Sequence, residues 1–391
     1  MKFAHFSHVW GKPNMTAHQR YEQLWRELQL CDDLGFDFSF CVEHHFRPDE
    51  SWMSAPSLYA VAGNARTKRL RVGAMGYVVP LYQPLRLAEE IAVVDQMSGG
   101  RFECGLVPGI SPGYFTPFGD DYNFRKSPTF EFVNYLRAAY GEKQPFSFSG
   151  DNFKTDGAKL AVMPAQRPHP PLWMACSNRT SIQQAATLGV GALTFSFVGP
   201  EQAKQYVDLY YETLEKECIP FGYAVNPQIA IACPFLILKD DQKALALGAE
   251  SYGFFIYGLG HYSFFGEHIP NQTDIWREYK NDPKEFANPE GRLQDCVGSP
   301  DRVRAQLREF EKVGIDHVIC LSQAGNIPHE ILCESIELFG KEVLPEFKER
   351  DQKNAAKKAA ETDRLNNLLM PKRPAVKLRN EPSIIRAAGH H

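Results

Sequence analysis

The 391-residue sequence predicts an α/β chain folded as a (β/α)8 TIM barrel, with an inserted β-hairpin and a long lid loop between the seventh and eighth strands. Three observations predict it. Short apolar runs rich in β-formers alternate with amphipathic helical stretches from Lys2 to about Phe347. About eight such strand–helix units can be placed in order. No Gly-x-Gly-x-x-Gly follows the first strand, which weakens the dinucleotide-binding version of the rival doubly wound sheet. Alternation alone does not separate the two architectures, because both alternate.

The first strand is Lys2 to Val9. Thr16 is placed to cap a helix through Leu34, with Leu24, Leu28 and Cys31 on one face. Gly35 stops it, and a second strand runs from Phe38 to Val42. A helix over Ala55 to Thr67 leads to a third strand in LRVGAMGYVVP. Pro84 opens the helix to Met97 from its favoured first-turn position. Arg101 to Leu106 is the fourth strand; VPGISPGYFTPFG reads as a Gly/Pro-rich loop, and Ser127 to Tyr140 as a helix. Pro145 to Val162 alternates between turn signals and reads as the inserted hairpin. Leu172 to Cys176 and GALTFSF are the fifth and sixth strands, each followed by a helix. Gln228 to Leu238 is the seventh strand and His317 to Ser322 the eighth, the latter reached through a helix whose start is Ser299-Pro300-Asp301. Between them, Tyr252 to Leu293 carries Phe254, Phe255, Tyr257, Tyr262, Phe264 and Phe265 among glycines and reads as lid or pocket wall. The division is a barrel domain over residues 1–348 and a basic, partly disordered C-terminal extension over 349–391.

Composition bounds the partners. With 43% hydrophobic and 23% charged residues, a sizeable core is easily built. A net charge of -4 gives no reason to expect nucleic acid. The nine cysteines include no Cys-x-x-Cys pair and fall largely within strands, as buried thiols of a reducing compartment do. The N-terminus lacks a long apolar signal segment and no run of about 18 apolar residues occurs, so a cytoplasmic protein with no membrane span is expected.

Chemistry concentrates at FSFCVEHHFR, Phe38 to Arg47, where an apolar strand breaks abruptly into Glu43, His44 and His45. Ionisable residues at a strand's C-terminal end are where a barrel carries its site. Adjacent strand residues face opposite sides, so a His44/His45 chelate is awkward; no third ligand stands at helical spacing, and no metal is expected. After the fifth strand, Ser177, Asn178, Arg179 and Thr180 bring hydroxyls, amides and a guanidinium to a helix start, an anion site in the making that is equally explained by capping from Ser177 or Thr180.

VEHHFRPD, VGAMGYVVPLYQPLRLAEEIAVVDQMSGGRFECGLVPG, the YFTPFG loop, AVMPAQRPHPPLWMACSNRTSIQQAATLG and GSPDRVRAQLREFEKVGIDHVI together resemble the bacterial-luciferase-like flavin monooxygenases, the luciferase alpha subunit in particular, over roughly Lys2 to Phe347. That resemblance implies a barrel that takes reduced FMN (FMNH2) from a separate flavin reductase. It then uses O2, through a C4a-(hydro)peroxyflavin, to oxygenate a small organic substrate. His44 matches the family's active-site histidine, with Glu43 as a group that orients a histidine and His45 as structural. Ala74, Met75 and Gly76 match the turn under the flavin ring, with a non-proline cis bond implied at Met75–Gly76. The phosphate falls to Ser177–Thr180; Pro108 stands where relatives often carry a basic residue, leaving Arg125 or Lys126 to compensate. His8, Trp10, Phe46, Phe254 and Tyr257 line the expected pocket for an apolar or aromatic substrate. The helix from Pro84 to Met97 matches the family's dimer interface, and a homodimer is expected. Two alternatives share the fold: an F420-dependent oxidoreductase, and a non-catalytic partner subunit.

Overall fold

The structure, a computed structural model, describes residues 1–11, 14–47, 51–195, 198–261, 266–267, 269, 272–282 and 296–373. The chain opens with β1 (Lys2–Ser7), α1 (Ala17–Leu34), β2 (Phe38–Cys41), α2 (Pro56–Arg66), β3 (Arg71–Val78), α3 (Pro84–Met97) and β4 (Cys104–Val107). Two helices, α4 (Pro112–Phe118) and α5 (Lys126–Ala139), precede the antiparallel hairpin of β5 (Phe146–Ser149) and β6 (Lys154–Ala158). Then come β7 (Leu172–Cys176), α6 (Arg179–Leu188), β8 (Gly191–Thr194), α7 (Pro200–Glu217), β9 (Ile229–Ile237), α8 (Asp241–Gly260) and α9 (Ile275–Asn281). The chain ends with β10 (Cys296–Gly298), α10 (Pro300–Lys312), β11 (His317–Gln323), α11 (His329–Glu342) and α12 (Leu344–Leu369).

Parallel neighbours run β1-β2-β3-β4-β7-β8-β9-β11, and β11 pairs back to β1, so the sheet closes as the predicted (β/α)8 barrel. The register from Ala4↔Phe38 to Ser7↔Cys41 sets the ends of the first two strands side by side. Strands of a barrel are apolar on both faces because helices cover the outside; β9 is buried along its whole length. The short β10 pairs only with the far half of β9, Cys296↔Phe235 to Gly298↔Ile237, and stands outside the eight.

The capping residues act as read. Thr16 and Gln19 form a capping box at α1, and Ser299 accepts from the Arg302 N–H ahead of Pro300 at α10. Three segments differ. The Gly/Pro-rich stretch after β4 contains a helix, α4, started by Ser111-Pro112 and stopped by Gly119 at φ 80, a left-handed position that suits glycine. The expected lid begins inside α8, which continues to Gly260; residues 262–265 and 283–295 lie outside the described residues. The final helix is two, α11 and α12, and α12 runs on through position 348 to Leu369; the tail from 374 lies outside the described residues.

Candidate functional site

All eight barrel strands deliver their C-terminal ends to one face. β1 leaves its register at Ser7 and turns through Val9 at φ 52, a strained position for a β-branched residue. Hydrogen bonds over-determine that turn. Ser7 Oγ accepts from the Val9 N–H at 3.0 Å, Gln323 Oε1 accepts from the Trp10 N–H at 2.7 Å, and the His8 N–H donates to the Gln323 carbonyl at 3.0 Å. The turn sets the His8 ring edge-on to His44, centroids 5.2 Å apart, and against Phe255 at 4.9 Å. Trp10 meets Phe254 at 4.8 Å in an adjoining cluster with Tyr257, Ile275 and Tyr279.

The second strand end supplies the ionisable groups. The His44 N–H donates to the Met53 carbonyl at 2.9 Å, and the buried ring stands 5.5 Å from that of Tyr114. The histidine held by Glu43 is His45, not His44. Its Oε1 lies 2.9 Å from His45 Nε2, while its Oε2 accepts from the Val78 N–H at 2.8 Å and so ties β2 to β3. Burial first, then the Glu43 carboxylate, push the Tyr82 phenol far above its ordinary range, so it stays protonated. Phe46, at φ 60 and 41% exposed, turns outward onto Phe118 rather than joining His44. Two buried neighbours escaped the sequence reading. Arg47 lies 4.9 Å over the Tyr114 ring and donates to Ser111 Oγ, the cap of α4. The signal was present: Arg47 follows the EHHF run, and Tyr114 sits in YFTPFG.

Ala74, Met75 and Gly76 lie buried near the end of β3, where its register with β4 shifts between Ala74 and Tyr77. The strands touch there. A Cβ on Gly105 would come 2.4 Å from the Met75 carbonyl oxygen, and one on Gly76 would come 2.2 Å from Val107 Cγ1. The implied cis bond at Met75–Gly76 is not found: the cis bonds among the described residues are Gln144–Pro145 and Arg167–Pro168.

At the end of β7, the cap of α6 is Asn178, not Ser177 or Thr180. Its side chain accepts from the Ser181 N–H at 3.0 Å, while Ser177 and Asn178 N–H groups donate to Ser181 Oγ. The turn is exposed, with Arg179 and Thr180 opening the helix. The start of a helix favours an anion, though here the Ser177, Asn178 and Ser181 N–H groups donate within the turn itself. Arg125 is engaged elsewhere: it lies 3.5 Å over the Tyr122 ring and donates to the Gly109 and Tyr122 carbonyls. Lys126 begins α5 beside it. Thus His8 and His44 come together, Trp10, Phe254 and Tyr257 form the adjoining wall, and Phe46 turns away onto Phe118.

The closed parallel barrel gathers buried His8 and His44 at the C-terminal ends of its strands, the face on which (β/α)8 enzymes carry their sites. The chain belongs to the luciferase-like monooxygenases, whose family model matches residues 1–317. It is 23% identical over 90% of its length, and 99% of theirs, to the alkanal monooxygenase alpha chain of Photorhabdus laumondii. An uncharacterised protein of Sinorhizobium fredii is 34% identical over 51% of this chain, and there the match spans 57% of the relative. Two solved structures share the fold. One is the oxygenating constituent of 3,6-diketocamphane monooxygenase of Pseudomonas putida, in complex with FMN, at TM-score 0.70, 20% identity and coverage of 88% and 98%. The other is an F420-dependent secondary alcohol dehydrogenase, at TM-score 0.67, 16% identity and the same coverage.

Proposed function

We propose that the protein is an FMNH2-dependent monooxygenase acting with O2 on an apolar or aromatic small molecule, its reduced flavin supplied by a separate reductase. The observation that carries this reading is the buried His8–His44 pair at the barrel mouth, one strand from the close β3–β4 contact at Ala74–Gly76. The residues present fit a flavin. Ser177–Thr180 at the start of α6 suits a single terminal phosphate, while the glycines of the β3–β4 contact let the two strands approach, Gly76 against Val107 and Gly105 against the Met75 carbonyl. Reduced FMN, when bound, supplies the electrons and activates oxygen. His44 is the residue placed to hold or move a proton at the reacting atoms. Tyr114 and His8 fix its ring from two sides, and Phe254, Phe255, Tyr257 and Trp10 keep the space beside it apolar. Glu43 acts on backbone and His45, and so positions the strand end.

The experiment is a binding titration with reduced FMN under nitrogen, followed by oxygen and a panel of apolar and aromatic substrates. Tight FMNH2 binding and oxygenated product are expected. Tight F420 binding with no oxygen uptake would replace the reading with a hydride-transferring one. A cytoplasmic homodimer belongs to the same proposal. Leu58 on α2 and Val93 and Met97 on α3 are 72%, 40% and 65% exposed, an apolar patch on neighbouring helices that a second copy would cover. Sedimentation at micromolar concentration should give twice the chain mass; a monomer would remove this part.

A further inference from the structure

The two histidines at the barrel mouth come from different strand ends, yet their backbones are tied through one short segment. The Val9 carbonyl accepts from the Trp52 N–H at 3.0 Å, and one residue on, the Met53 carbonyl accepts from the His44 N–H at 2.9 Å. Trp52–Met53 thus joins the turn that carries His8 to the strand end that carries His44. A Cβ on Gly11 would come 1.9 Å from Trp52 Cε2, so the chain leaving that turn lies directly against the indole. Two consecutive residues of α1 hold this frame. The capping box of Thr16 and Gln19 fixes the start of the helix. Just beyond it, the Tyr21 hydroxyl donates to the Trp52 carbonyl at 2.5 Å. Burial raises the Tyr21 phenol above its ordinary range, so it keeps the proton of that bond. Arg20 is buried and reaches the other side of the frame: its Nη2 donates to Ser7 Oγ at 3.2 Å, the oxygen that also accepts from the Val9 N–H. Glu27 holds the guanidinium, accepting from Nη1 at 3.0 Å and from Nη2 at 3.2 Å. A buried ion pair adds little net stability over apolar residues of its size, and Val9 at φ 52 costs energy. What the two features secure together is a geometry.

We infer that Arg20 and Tyr21 are positioning residues: from the helix layer outside the barrel wall they set the distance and angle between the His8 and His44 rings, 5.2 Å and 87°. Tyr21 acts through Trp52–Met53, and Arg20 acts through Ser7. The consequence for turnover rests on the proposed flavin reading; the consequence for the two rings does not.

The test compares Tyr21→Phe and Ser7→Ala with wild type in the full chain. Ser7→Ala removes the oxygen through which Arg20 acts and keeps the Arg20–Glu27 pair, whereas replacing Arg20 itself would strand a buried carboxylate. The first readout is NMR of histidine-labelled protein, with the ring signals assigned from His8→Gln and His44→Gln. The signals of His8 and His44 should both shift in either variant, while that of His317 at the start of β11 stays in place. The second readout is turnover with reduced FMN and oxygen. In each variant kcat should fall roughly 10- to 100-fold, as displaced reacting groups cost, with flavin affinity unchanged and melting lowered by only about 2–4 °C. Unmoved ring signals overturn the inference. So does a wild-type kcat, or a kcat that falls only in step with flavin affinity and melting temperature. If wild type itself shows no turnover, the flavin reading fails and the ring signals alone decide this inference.

Discussion

At the N-terminal end of the barrel, α12 lies across the strand starts and ties them down. The Met1 ammonium pairs with Asp351 at 3.0 Å, Lys348 with Asp37 at 2.6 Å, and Asn366 Oδ1 accepts from the Val225 N–H. Phe347 packs on Phe3 at 5.5 Å, and Leu365 and Leu369 are buried. The histidine at that end, His317, is a core residue: it bonds Gln228 and stands between Phe38 and Trp173, and burial, aided by nearby lysines, holds it well below its ordinary range. At the C-terminal end, the strands run instead into left-handed turns at Val9 and Phe46, and buried His8, His44, Arg47 and Tyr114 meet ring to ring. Aliphatic side chains would fill that space at lower cost. The difference teaches that one end is tied by ion pairs and apolar packing while the other buries polar and ionisable groups, so substitutions at the two ends should separate stability from the proposed activity.

The largest effect should come where the ends meet in the wall. Gly105→Val drives side-chain atoms into the Ala74 and Met75 carbonyls, and should destabilise the fold by about 4 kcal/mol or more, read by urea denaturation. At the stability end, Leu369→Ala should cost about 2–4 kcal/mol while leaving flavin affinity unchanged. A matching loss of flavin affinity would erase the distinction between the ends. The pH dependence of that end follows from Asp351. Burial opposes its charge, but Lys358 and the N-terminal ammonium overcome this and hold it at about 2 against an ordinary 3.8. A carboxyl depressed on folding stabilises above its unfolded value and loses that contribution as pH falls through the folded one. The α12 contact should therefore loosen between about pH 4 and pH 2, seen as amide exchange in residues 344–369 ahead of the barrel strands. The smallest stability effect belongs to the exposed rim: Phe118→Ala should change unfolding by no more than about 0.5 kcal/mol. A larger change would show Phe118 to be core.

Much of the fold was legible because its helix starts carry local grammar. Thr16 with Gln19, and Ser299 with Pro300, name their helices without tertiary help. The same grammar at Ser111-Pro112 was hidden by the glycines and prolines around it. The end of α8 was hidden for another reason: Tyr252 to Tyr257 are buried all round, so no 3.6-residue period remains to be read. At the site, the strand end in Glu43-His44-His45 was legible as chemistry, but the partner of Glu43 was not. Which histidine it meets depends on the turn that Phe46 completes at φ 60, and periodicity holds no record of that. The choice of Asn178 over its neighbours as cap was equally invisible, since all three residue types cap well.

The measurement that bears most directly on the account is turnover by His44→Ala, with its melting temperature taken in parallel. Product formation from reduced FMN and oxygen at saturating substrate should fall by about 10²–10⁴-fold, the range for loss of a general acid–base residue. Melting and flavin affinity should stay close to wild type. Wild-type turnover in His44→Ala would contradict the claim that this end of the barrel carries the chemistry through that ring.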